Sequence, residues 1–152
     1  MTLGGPIIKN KLYFFVAGEF NRNATPSTNY PATGNSALTD SQAMKISERY
    51  YALTGYDGGG YGENMIEALT GSAVARIDWN IDRNNHLSLR YNMLHADADA
   101  SSNTNQAFYF TGAEYTNINR THSVVAELNS SQNNKFNTLR MGYTRLKDGR
   151  LT

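Results

Sequence analysis

The sequence predicts an all-β protein: an antiparallel up-and-down meander forming part of a transmembrane β-barrel, with a short helix in one long loop. Three observations carry that prediction. Five segments alternate apolar and polar side chains over about nine or ten residues each. The connections between them run long, short, long, short. Only 18% of the residues are charged, while Tyr and Phe number ten and six, a balance that favours strands.

The first segment is Leu12 to Asn21, with Leu12, Phe14, Val16 and Phe20 on one face. Tyr13 and Phe15 make its other face partly aromatic before Glu19 and Asn21 restore polarity. A long excursion follows, Arg22 to Gly71, rich in Gly, Ser and Asn. Within it Thr39 and Gln42 are spaced as a capping box. Ala43, Ile46, Tyr50 and Leu53 then repeat at helical spacing, and Gly55 is placed to end the run. This helix is expected to pack the loop into a lid or wall. The stretch YDGGGYGE, Tyr56 to Glu63, lacks the Lys-Ser/Thr of a phosphate loop and reads as a flexible loop.

The next two segments, Ser72 to Ile81 and Leu87 to His95, flank a short polar turn, Asp82 to His86. Ala75, Ile77, Trp79 and Ile81 alternate with polar residues, as do Leu87, Leu89, Tyr91 and Met93, so the hairpin carries one apolar face. Pairing Trp79 with Leu89 and Ile77 with Tyr91 keeps that face continuous and sets Asp78 opposite Arg90. A second long excursion, Ala96 to Arg120, leads to Thr121 to Ser130, the turn Ser131 to Phe136, and Asn137 to Leu146. Here the parity pairs Leu128 with Leu139, Ala126 with Met141 and Val124 with Tyr143, and sets Glu127 opposite Arg140. Each hairpin thus places a carboxylate against an arginine on its polar face, a modest staple that tolerates water.

Segment length points to a membrane, because strands of soluble domains more often run about five or six residues and a tilted spanning strand needs about nine to eleven. Loop order points the same way. A meander with this alternation collects every short turn on one side and every long loop on the other, as outer-membrane barrels do, whereas loops this long are uncommon in compact domains.

Other functions find little support. The net charge of +1 is spread evenly, with no basic block to neutralise phosphates, so no nucleic-acid partner is expected. Cysteine is absent, which rules out a disulfide framework and a thiolate metal site. No segment approaches the roughly 20 apolar residues of a spanning helix, and MTLGGPIIKNK lacks the pattern of a secretory signal. His95, Asp97 and Asp99 alternate in HADAD and carry the donor types of a divalent-cation site, but with no further ligand in view they read as solvated residues at a loop base. His86 and His122 read as isolated residues at strand ends, and no GxSxG is present. Three glycosylation sequons, at Asn23, Asn119 and Asn129, carry no weight in so Asn-rich a chain. No enzyme, cofactor or metal site is expected, and no substrate-binding residue is singled out.

Three stretches together carry a family resemblance: LGGPIIKNKLYFFVAGEF (Leu3 to Phe20), ARIDWNIDRNNHLSLRYN (Ala75 to Asn92) and THSVVAELNSSQNNKFNTLRMGYTR (Thr121 to Arg145). In order and spacing they resemble consecutive parts of the barrel of TonB-dependent outer-membrane receptors. The closest look is to the Oar-like group, which carries a carboxypeptidase-regulatory-like domain. GYDGGGYG after a loop helix resembles that group as well. The resemblance implies a 22-stranded barrel filled by a plug, in the outer membrane of a Gram-negative bacterium. Such a receptor imports a siderophore, cobalamin, glycan or peptide with energy passed through TonB.

It further implies an apolar face turned to lipid, periplasmic short turns and extracellular long loops. Signal peptide, regulatory-like domain, TonB box, plug and closing aromatic strand are not expected within these 152 residues. The chain is therefore expected to be an internal barrel fragment whose partners are outer-membrane lipid, the plug and remaining strands of its parent, and, through the parent, the TonB complex. The rival expectation is a soluble or surface β-sheet module, an adhesin or other ligand binder whose long loops hold the ligand.

Overall fold

A computed structural model describes residues 1–152 and shows a six-stranded sheet in sequential order, an up-and-down meander that does not close on itself. The strands are β1 (Thr2–Ile8), β2 (Leu12–Pro26), β3 (Met65–Asn80), β4 (Asn85–Ala100), β5 (Tyr115–Gln132) and β6 (Lys135–Leu151). One helix, α1 (Asp40–Thr54), and two short 3-10 turns, Pro31–Thr33 and Thr111–Ala113, complete the elements. No helix is long and apolar enough to cross a membrane. The all-β meander with a helix in the first long loop is the predicted architecture.

The strand count and the boundaries differ from expectation. Strand β1 lies in a stretch whose Gly4, Gly5 and Pro6 are strand breakers by composition. It pairs antiparallel with β2 nonetheless, Leu3 against Val16 and Pro6 against Tyr13, and shifts register between Pro6 and Ile8. An edge strand tolerates a residue without an N–H. A side chain at Gly4 would come within 3.1 Å of the Phe14 carbonyl and 3.3 Å of the Phe15 ring, a tight fit that glycine avoids.

The five expected strands all form, and each is longer than expected. Strand β2 extends to Pro26 rather than Asn21, and β3 begins at Met65 rather than Ser72. Strand β4 ends at Ala100 rather than His95, β5 begins at Tyr115 rather than Thr121, and β6 ends at Leu151 rather than Leu146. The four strands flanking the two long loops, together with β6, thus reach 15 to 18 residues, about 50–60 Å at 3.3 Å per residue. The reason is that a backbone ladder needs no apolar face. In the extensions polar pairs replace apolar ones: Arg22 binds both carboxylate oxygens of Glu67 at 2.7 and 3.0 Å, and the Arg150 guanidinium sits 4.5 Å over the Tyr115 ring. The long loops shorten accordingly, to 27–64 and 101–114.

The chain divides into two compact units: residues 1–21, 70–96 and 119–148, and residues 22–69, 97–118 and 149–152. In the first, no residue is buried. Leu139, Met141 and Tyr143 are 60%, 67% and 68% exposed, and Ile77, Trp79, Leu89, Tyr91 and Val124 are also exposed. A sheet in a soluble domain buries one face against a second layer; this one has an apolar face with no layer on it.

Register within this unit follows from its turns. Asn133 and Asn134 both take positive φ, 47° and 63°, giving β5 and β6 the two-residue turn that matches strand twist. Arg140 then reaches Glu127 at 2.6 Å, Thr138 donates to Asn129 and Ser123 meets Thr144 at 3.0 Å. That is the predicted pairing.

The β3–β4 hairpin turns otherwise. Ile81 donates its N–H to the Asn85 carbonyl, and the Asn80 amide oxygen meets His86 Nδ1 at 2.8 Å. Asn80 therefore faces His86, and Trp79 faces Leu87, two residues from the predicted partner. The expected Asp78–Arg90 pair is replaced: Asp78 binds Arg76 of its own strand at 2.7 Å and approaches His86 at 3.4 Å, while Arg90 lies within electrostatic reach of Glu127. Alternation fixed which face each residue occupies, and a slip of two preserves that parity.

Candidate functional site

The second unit is organised around α1. Thr39 precedes it in extended conformation and exchanges the capping contacts expected: its N–H and its hydroxyl both reach the Gln42 side-chain oxygen at 2.9 Å. At the other end Gly55, with φ 69°, donates to the Tyr51 carbonyl at 2.8 Å and stops the helix. Ala43 is fully buried, while Ile46, Tyr50 and Leu53 are exposed.

The glycine-rich stretch after the helix is tied down rather than flexible, which corrects the expectation. The Asp57 carboxylate accepts the Gly59 N–H at 2.9 Å. The Thr111 and Gly112 N–H groups donate to the carbonyls of Gly60 and Gly58, both at 3.0 Å, and the Gly60 N–H returns a bond to the Thr111 hydroxyl at 2.7 Å. Glycine is required because the backbones touch. Gly59 has φ 91°, and a side chain on Gly112 would fall 2.5 Å from the Gly58 carbonyl. The two long loops are thereby zipped together, with further bonds from Asn64 to Glu114 and from Asn29 to the Asn103 carbonyl.

This zipper frames an aromatic cleft of about 310 Å³. Ile46, Ser47 and Tyr50 come from α1, Tyr56 and Gly58 from the glycine stretch, and Phe108, Tyr109, Phe110, Gly112 and Ala113 from the second loop. Tyr50 meets Tyr56 edge to face, as Phe108 meets Phe110. No charged side chain lines the cleft. It suits an uncharged ligand with an apolar or ring-shaped portion, held by aromatic contact and by the few polar groups at its wall.

The groups singled out in HADAD separate. Asp99 accepts the Thr116 hydroxyl at 2.8 Å and the Glu67 N–H at 3.2 Å, so it splices strand extensions. Asp97 is half-buried. His95 turns instead to His122, with the two Nε2 atoms 3.4 Å apart, and the Tyr91 hydroxyl meets His122 Nδ1 at 2.7 Å. His122 is thus a mid-strand residue with partners, not an isolated one at a strand end. His86 is likewise partnered, by Asn80 and Asp78. No group of three or more His, Asp or Glu side chains gathers as ligands.

A wider groove of about 670 Å³ runs beside the β3–β4 turn, between Asn10 and Phe136. Its polar lining is largely spent on holding the turn. Asp82 accepts the Asn84 and Asn85 N–H groups at 2.8 and 2.9 Å and the Asn85 side-chain amide at 2.8 Å. These donors, the Asn85 side chain foremost, hold the Asp82 carboxyl below its ordinary pKa.

The fold therefore defines an open all-β meander with one uncovered apolar face and one loop-built aromatic cleft. No protein-family model, curated protein or solved structure matches the chain.

Proposed function

We propose that this chain is a segment of the barrel wall of a TonB-dependent outer-membrane transporter, of the Oar-like type its sequence resembles. The observation that carries the reading is the uncovered apolar face: six strands without one buried residue among residues 1–21, 70–96 and 119–148. In water such a face invites aggregation, and in a bilayer it is the favourable side. The other face, with Glu127 on Arg140 and Asp78 on Arg76, suits a hydrated interior occupied by a plug. Strands longer than the bilayer requires fit a barrel whose wall projects beyond it.

On this reading the chain resides in the outer membrane of a Gram-negative bacterium, with short turns periplasmic and long loops extracellular. Its partners are lipid, the plug and remaining strands of its parent, and the TonB complex through that parent. Its part is wall and loop contact in nutrient import, with no catalytic step. Within the range of siderophore, cobalamin, glycan and peptide, the uncharged aromatic cleft favours an uncharged, ring-bearing or apolar portion of the cargo.

A second reading, a soluble or surface binding module, draws on the same cleft, which one compact unit builds entirely from its own residues. Expression of the chain with and without detergent decides between them, followed by light scattering and amide hydrogen exchange. The transporter reading expects aggregation in water and protected strands only in detergent or lipid. A monodisperse soluble monomer with protected strands would replace it by the binding module.

A further inference from the structure

The geometry of His95, His122 and Tyr91 points to a two-histidine site for a tetrahedral divalent metal ion of the zinc type. His95 lies on β4 and His122 on the adjacent β5. Their Nε2 atoms are 3.4 Å apart, their ring centres 5.2 Å apart and their planes at 82°. That separation is long for a hydrogen bond from an N–H donor, for which about 2.7–3.2 Å is usual. It fits chelation. Two nitrogens each about 2.0–2.1 Å from one tetrahedral ion stand about 3.3–3.4 Å apart, and their ring centres, about 1.2 Å behind them, about 5.2 Å apart. Square-planar copper would draw the nitrogens to about 2.8 Å, so the spacing selects the tetrahedral ion.

Tyr91 supplies the orientation. Its hydroxyl is 2.7 Å from His122 Nδ1, and its ring stacks on the imidazole at 21°. A histidine that ligates through one nitrogen commonly donates the N–H of the other to an oxygen, which fixes the ring and its tautomer. With Nδ1–H donating to Tyr91, His122 Nε2 presents its lone pair toward His95. Both rings are only half-buried, leaving the remaining two positions to water. The three side chains share the face of Leu89 and Val124 and stand at the loop-side end of its apolar run, so on the transporter reading the site lies toward the water-facing margin of that face.

The test is a zinc titration of the detergent-solubilised protein against a chromophoric competitor, with folding checked by circular dichroism. One equivalent should bind, and zinc-edge absorption should show imidazole nitrogens at about 2.0–2.1 Å. His95→Ala and His122→Ala should each weaken binding at least tenfold, and the double variant no further than the weaker single, since either loss ends the chelate. Tyr91→Phe, which removes only the orienting oxygen, should cost about tenfold. In the unaltered chain zinc should protect both histidines from diethyl pyrocarbonate, a readout that requires no variant. Absence of binding, unchanged affinity in the folded histidine variants, or equal modification with and without zinc would each overturn the site.

Discussion

The β3–β4 and β5–β6 hairpins belong to one sheet and carry the same alternation of side chains, yet they turn by different means and staple themselves differently. In β5–β6 two asparagines in left-handed conformation close the turn, and the polar face is joined across strands by Glu127 and Arg140. In β3–β4 the Asp82 carboxylate gathers the turn, and the pairing it sets leaves Asp78 to its own strand's Arg76. Face and register thus have separate causes. Side-chain parity decides the face, because burial or lipid contact penalises any odd slip. The turn decides the register, because even slips keep parity and differ only in local chemistry.

Each hairpin carries an apolar face, and the largest predicted effect tests that common ground. Ile77→Arg or Leu89→Arg should destabilise the membrane-inserted protein by about 2–4 kcal/mol near the bilayer midplane, measured by denaturant unfolding from lipid vesicles. Ser88→Arg, on the opposite face, should cost much less. Next comes the turn of β5–β6. Asn134→Val places a β-branched residue at φ 63° and should cost about 1–2 kcal/mol, whereas Asn134→Gly should be close to neutral.

Double-mutant cycles sharpen the contrast between the hairpins. Glu127 with Arg140 and Asp78 with Arg76 should couple, and Asp78 with Arg90 should not. The smallest effect is the pH response of the β3–β4 turn. Because its hydrogen bonds hold the Asp82 carboxyl below the ordinary value, its contribution is fully present above about pH 4 and is lost as pH falls through the depressed folded-state value. Asp82→Asn should remove that acid-side dependence while leaving β5–β6 unchanged, as amide exchange at the two turns would show.

The same separation of causes explains what the amino-acid sequence disclosed. Five strands, their apolar faces, the capped helix and the Glu127–Arg140 register were all legible, since each depends on periodicity or on a turn whose chemistry is local. Strand β1 was not, because GGP breaks the pattern that a neighbour's aromatic residues then restore. The strand extensions were hidden for a related reason: Asp99 on Thr116 and Arg22 on Glu67 hold a ladder with polar pairs that leave no apolar alternation.

Of the cleft, the helix and the glycines were visible and their partner was not. Nothing within YDGGGYGE shows that Phe108–Ala113 will be zipped to it. His95 stood out only beside its strand neighbours Asp97 and Asp99. Its true companion, His122, lies on the next strand, and only the β4–β5 register could have revealed it.

The central claim is that the apolar face meets lipid, and site-directed spin labelling in lipid bilayers tests it most directly. Labels placed singly at Ile77, Leu89, Leu139 and Met141 should relax strongly with dissolved oxygen and weakly with a water-soluble nickel chelate, while labels at Ser88 and Thr138 should show the reverse. Preference for the water-soluble relaxant at the first four positions would contradict the account.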